Sequence, residues 1–122
     1  MNEELTSRII GAAISVHREL GPGLLESTYE ACLAIELETL GIAFRRQASL
    51  PIRYRDHLIE EAYRLDFLIA ERVILELKSV EALLPVHTAQ VLTYLRLSKL
   101  KLGLLLNFNV PVLKDGIKRI IL

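Results

Sequence analysis

The sequence predicts an α/β (α+β) fold in which helices flank a mixed β-sheet, in the order α-α-β-β-β-α-β-(β). Three observations carry this expectation. Apolar residues recur at helical spacing up to Leu40, the period shortens to two from Ala43, and a helical stretch followed by an unbroken apolar run closes the chain. At 122 residues, 52% of them apolar, the chain suffices for a single domain over 1–122 whose core needs no disulfide or metal staple.

Asn2 is placed to cap a first helix whose opening turn holds Glu3 and Glu4, where negative charge favours the positive end of the dipole. Leu5, Ile9, Ala12 or Ala13, Val16 and Leu20 form its inward face, and Gly21-Pro22-Gly23 ends it. A second helix runs from about Leu25 to Leu40, with Tyr29, Leu33, Leu37 and Leu40 as its buried stripe and Gly41 as its stop. Strands follow over 46–54 and 58–69, joined through Arg55-Asp56-His57, and over 73–79. Pro51 has no amide to donate, which puts the first strand at a sheet edge. Pro85 suits the first turn of a third helix reaching about Lys99. Leu102-Gly103-Leu104-Leu105-Leu106-Asn107-Phe108 then suits a strand covered on both faces, and residues 117–122 add a short last strand. There is no internal repeat or interdomain linker.

Cys32 is the only cysteine, so no internal disulfide is available, and its neighbours Ala31, Leu33 and Ala34 suggest a small buried core residue. No apolar segment is long enough to span a membrane, and the chain opens on acidic residues where a signal peptide is basic; a cytoplasmic protein is expected. Formal net charge is zero, yet residues 1–84 carry −5 and residues 85–122 carry +5. Arg96, Lys99, Lys101, Lys114, Lys118 and Arg119 could therefore offer phosphate a basic surface, or serve only as solubilising residues.

The richest stretch runs from Leu65 to Lys78. Asp66 and Glu76 are symmetric about Glu71, so a turn at Ala70-Glu71-Arg72 sets them directly opposite on antiparallel strands, with Cβ atoms about 4.5–5.5 Å apart. Lys78, two residues beyond Glu76, returns to the same face. Like charges facing each other destabilise a sheet, and a divalent cation taking oxygen ligands would relieve them. That layout suits a metal-dependent phosphodiesterase. A solvated hairpin face of mixed charge is the alternative, and a turn of even length would send the two carboxylates to opposite faces.

Further candidates lie on the helices. Glu26 opens the second helix, where it could act on a metal or simply favour the dipole. His87, Gln90 and Tyr94 share one face of the third helix, either as plain surface or as groups orienting a phosphate, a water or the Lys78 amine. His17, His57 and His87 show no metal-ligand spacing, which disfavours zinc, and no phosphate-binding glycine loop or Ser/His/Asp set can be assembled. Oxygen-ligated metal chemistry is left as the catalytic reading.

Gly23-Leu24-Leu25-Glu26-Ser27-Thr28-Tyr29 reads as G-x-x-E-x-x-Y, and with Val16-His17, Leu20-Gly21-Pro22-Gly23, Leu65-Asp66-Phe67, Glu76-Leu77-Lys78, Gln90 with Tyr94, and Gly103 through Asn107-Phe108, nearly the whole chain resembles the GxxExxY proteins. That family is assigned by similarity to the PD-(D/E)xK nuclease-like superfamily, with a restriction-endonuclease-like core. The resemblance implies that Asp66 and Glu76 bind Mg²⁺ or Mn²⁺ and that Lys78 is the motif's lysine. It also implies that Glu26 is an extra helical acid and that Gln90 with Tyr94 forms a Q-x-x-x-Y element. Leu65 stands where the superfamily's name has proline. The expected mechanism holds the metal by Asp66, Glu76 and the Leu77 carbonyl, for hydrolysis of DNA or RNA. The alternative is a catalytically silent domain that binds nucleic acid or a protein partner, or works as a homodimer.

Overall fold

A computed structural model describes residues 2–122; Met1 lies outside them. Two helices, α1 (Glu3–Leu20) and α2 (Glu26–Thr39), precede strands β1 (Phe44–Tyr54), β2 (His57–Ile69) and β3 (Val73–Lys78). Helix α3 (Pro85–Ser98), β4 (Leu102–Asn107), a 3-10 turn (Leu113–Gly116) and β5 (Ile117–Ile121) complete the chain. The strands form one sheet ordered β1-β2-β3-β4-β5, with β3 and β4 parallel and every other pair antiparallel. Among the described residues no helix is long and apolar enough to cross a membrane.

The apolar periodicities divide between two cores, one on each sheet face. Leu5, Ile9, Ala13 and Val16 of α1 and Tyr29, Leu33 and Leu37 of α2 pack on Phe67, Ile69, Leu75, Leu77, Leu104 and Leu106. Val91, Tyr94 and Leu95 of α3 pack on Ala48, Leu50, Leu65, Leu68, Ile74 and Leu105. β4 is thus covered on both sides, as its unbroken apolar run requires. β1 is an edge strand, as Pro51 demands.

Some local expectations are corrected. Asn2 makes no side-chain cap; its carbonyl accepts the Thr6 amide at 2.8 Å instead. Leu40 falls just beyond α2 and is exposed, while Leu20 and Cys32 are only half-buried against the core. β1 begins two residues early because Phe44 pairs with Ile69 and packs edge-on to Phe67, at 5.6 Å between ring centroids. The C-terminal cations are distributed over several elements. Arg96 and Lys99 lie at the end of α3, Lys118 on the far edge strand, Arg119 beside Asn2 and Glu3, and Lys114 near His17 and Arg18.

One irregularity bears on the site. Leu65 and Leu68 are three apart, yet both face α3, so the alternation of β2 slips between them at Asp66. On β1 the same switch separates Phe44, which packs on the α1–α2 side, from Ala48 and Leu50 on the α3 side. Gln47, opposite Asp66, has φ 49°, a left-handed conformation that costs a non-glycine residue about 1–3 kcal/mol. Both strands therefore kink together at Gln47 and Asp66.

Two glycines mark the closest approaches. A Cβ on Gly103 would meet the Val91 side chain of α3 at 2.6 Å, and one on Gly116 would collide with the backbone carbonyl of Asn107. A side chain can shift, whereas the backbone at the end of β4, paired there with Lys78, cannot do so without disturbing the sheet. Gly103→Ala should cost about 1–3 kcal/mol and Gly116→Ala more, measured by urea unfolding. A Gly116→Ala protein as stable as the parent would contradict this packing.

Candidate active site

The β2–β3 hairpin turns at Ala70-Glu71-Arg72, with Ala70 and Glu71 at φ 52° and 54° and the Arg72 amide donating to the Ile69 carbonyl at 3.0 Å. This odd-length turn gives the direct pairs Ile69↔Val73, Leu68↔Ile74 and Phe67↔Leu75. The same register runs on to Asp66 and Glu76, but there the strands part. The Asp66 amide donates to Glu76 Oε2 at 2.7 Å and the Leu77 amide donates to Asp66 Oδ2 at 2.8 Å. Two carboxylates thus stand in for carbonyls of the ladder, each held by a backbone donor of the neighbouring strand.

Their electrostatics follow from that position. Glu76 is only 4% exposed, and burial, followed by the charge of Asp66, pushes its carboxyl up to about 8. Asp66 is raised as well, first by burial, against the lowering effect of the Leu77 amide. Glu26 and Glu30 add repulsion at Asp66, and Lys78 offsets part of it. Glu26, at the start of α2, accepts the Ser79 amide at 3.1 Å, so the helix begins against the end of β3. Glu30 was not singled out from the sequence. It sits one helical turn after Glu26, pairs with Arg46 at 3.1 Å and accepts a hydrogen bond from the Gln47 side-chain Nε2 at 2.7 Å. Its spacing of four from Glu26 is the signal that could have found it.

Lys78, Gln90 and Tyr94 meet in a groove of about 570 Å³ between α3 and the hairpin base, lined also by Tyr63, Val86 and His87. Neither carboxylate lines this groove. Tyr94 bridges the two regions: its hydroxyl is pushed up to about 12 by burial, then by the charges of Glu76 and Asp66, and so stays protonated as a donor. A second depression, of about 550 Å³, lies by His17, Arg18, Pro22 and Val112 on the α1 side and contains none of these groups.

A pair of acids on β2 and β3, one buried and one half-buried, with a lysine two residues on is the arrangement around which a known nuclease core is built, and the family comparison covers residues 3–120. The chain belongs to the PD-(D/E)XK nuclease superfamily. No curated protein and no solved structure matches it. Nucleases of this superfamily generally use divalent metals. Among the described residues no group of three or more His, Cys, Asp or Glu side chains is arranged to hold a metal by itself. The donors that are present suit a hard cation. Each carboxylate spends one oxygen on a backbone amide, and the two repel each other in a buried setting that a positive ion would relieve.

The raised carboxyl of Glu76 makes stability depend on pH. Its folded value of about 8 exceeds the ordinary 4.5, so between these values the folded chain binds more protons than the unfolded one. Stability should therefore fall as pH rises through that window, Asp66 contributing in the same direction. Glu76→Gln keeps an acceptor for the Asp66 amide and removes the charge. In EDTA it should melt higher than the parent at about pH 8.5 and show a smaller drop from about pH 5. Identical pH profiles for the two proteins would refute the assigned burial.

Proposed function

We propose that the chain is a divalent-metal-dependent nuclease that hydrolyses phosphodiester bonds in nucleic acid, its single domain carrying the whole active site. The observation that carries this reading is the Asp66–Glu76 pair, Glu76 buried and Asp66 half-buried, each held by a backbone amide of the neighbouring strand, with Lys78 two residues beyond Glu76 lining a groove. In this proposal Asp66, Glu76 and the Leu77 carbonyl hold Mg²⁺ or Mn²⁺. The N–H and C=O of a strand residue point to the same side, and the Leu77 amide points at Asp66, so its carbonyl faces the gap where β2 has parted from β3. When bound, the cation supplies Lewis acidity to the scissile phosphate.

The chain's own residues do the rest. Lys78, on the groove side of the pair, positions an attacking water or stabilises negative charge developing on the phosphate. Tyr94 donates from a hydroxyl held neutral, and Gln90 orients the same region from one helical turn away. Glu26 reinforces the negative field at Asp66 and Glu76, and its hold on the Ser79 amide fixes the residue after Lys78. A cytoplasmic setting belongs to the same proposal and accords with the free thiol of Cys32.

Labelled DNA and RNA incubated with Mg²⁺ or Mn²⁺ test the activity, with Asp66→Ala as the inactive control. Mn²⁺ should raise the melting temperature of the parent and much less that of Asp66→Ala or Glu76→Ala. Lys78→Ala should keep or slightly improve Mn²⁺ binding while cutting the rate by about 10²-fold or more. Equal cleavage by Lys78→Ala would remove that residue from the mechanism. Metal binding without cleavage of any substrate would favour a silent binding domain or a subunit acting through a partner.

A further inference from the structure

The groove beside Lys78 has a second wall that hydrolysis itself does not require. Tyr63, midway along β2 and opposite Leu50 of β1, is half-buried and lines the groove, braced by Tyr94 at 5.4 Å between ring centroids and a tilt of 57°. Tyr94 is 5% exposed, so this brace is fixed by the core under α3. Across the groove, His87 Nδ1 accepts the Leu84 amide at 3.0 Å. An amide can only donate, so the ring's proton sits on Nε2, which is left as a donor. Gln90, exposed in the same lining, offers both a donor and an acceptor.

A flat ring with a short row of hydrogen-bonding groups matches one chemical shape: a planar heterocycle with a π-face and a polar edge. A nucleobase in a duplex shows neither freely, because its faces are stacked and its pairing edge is used. Duplex binding also draws on many phosphate contacts from spread cations. Arg96, Lys99, Lys101, Lys114, Lys118 and Arg119 line no part of this groove, and Lys78 is its one Lys or Arg among the described residues. Single-strand binding relies instead on aromatic platforms on which unpaired bases stack.

We propose that this groove seats an unpaired nucleobase, stacked on Tyr63 and contacted at its edge by His87 Nε2 and Gln90, so that the substrate is single-stranded nucleic acid. The inference rests on the nuclease reading of the Asp66–Glu76 site, but binding can be read without cleavage. The test is fluorescence anisotropy with a labelled single strand and a blunt duplex of the same sequence, DNA and RNA in separate arms, in EDTA and in Ca²⁺. The parent should bind the single strand at least about tenfold more tightly than the duplex, Tyr63→Phe should keep that preference, and Tyr63→Leu and Tyr63→Ala should lose about tenfold on the single strand alone. Tyr63→Leu retains apolar bulk, so melting curves that match the parent's separate a lost platform from a lost fold. Equal affinity for single strand and duplex, or full affinity in a folded Tyr63→Leu, overturns the inference. Tyr63-dependent single-strand binding without cleavage in Mg²⁺ or Mn²⁺ upholds it and defeats the nuclease reading. Preferential cutting of duplex, unaffected by Tyr63→Leu, does the reverse.

Discussion

Two acidic side chains, each accepting a backbone amide from the opposite strand, set the terms for the structure around them. Asp66 and Glu76 can make those bonds only because β2 and β3 stop pairing after Phe67 and Leu75. The kink at Gln47 and Asp66 is the geometric counterpart of that separation. β1 and β2 turn together away from β3, carrying Leu50 and Tyr63 over toward α3 and opening the groove that contains Lys78. The left-handed backbone of Gln47 is a local strain that this turn requires and that the sheet on either side sustains. The Gln47 side-chain Nε2 lies between acids, 2.7 Å from Glu30 Oε1 and 3.5 Å from Asp66 Oδ1.

The end of β3 is tied down from two directions. Tyr29, fully buried and stacked on Phe108 at 4.3 Å, donates its hydroxyl to the Gly21 carbonyl at 2.6 Å and accepts the Leu24 amide at 3.1 Å. Gly23, at φ 90°, supplies the backbone conformation this tight loop needs. The Ser79 hydroxyl then donates to the Leu24 carbonyl at 2.7 Å, and Glu26 accepts the Ser79 amide. The spacing G-x-x-E-x-x-Y thereby acquires a physical meaning: the glycine bends the loop, the tyrosine latches it, and the glutamate docks the helix against the residue after Lys78. From the other side Asn107, 3% exposed, accepts the Val80 amide and donates to the Val80 carbonyl, clamping the outgoing loop to β4.

The order of elements and the sheet's edge were legible because periodicity and punctuation are strong here: glycines close α1 and α2, Pro51 marks an edge, and the run from Leu102 marks a strand buried twice. The opposition of Asp66 and Glu76 was legible for a narrower reason, their symmetry about a turn of odd length. The kink was not. A period-two reading assumes unbroken alternation, and nothing in the identity of Gln47 announces a positive φ. Glu30 was overlooked because a lone glutamate on a helix reads as solvated surface until a strand is folded against it. Which element each C-terminal cation reaches was equally hidden, since charge density along a chain says nothing about which strand edge or helix end a residue occupies.

The acidic pair also raises the question of what a fold gains from it. Replacing a buried charge by a neutral group of similar shape is often neutral or stabilising, because desolvation outweighs the hydrogen bonds that the charge makes. Glu76 is such a case: its proton-binding strength is shifted by burial first and by Asp66 second, and its single amide contact is one that a glutamine could accept equally well. Nothing in the two apolar cores needs the negative charge, since the β2–β3 register is already fixed by Phe67, Leu68 and Ile69 against Leu75, Ile74 and Val73. The charge is costly to the folded chain alone, and a bound cation would offset that cost. If a cation binds there as proposed, such a site would be destabilised when empty and stabilised when filled, the opposite of a structural ion pair.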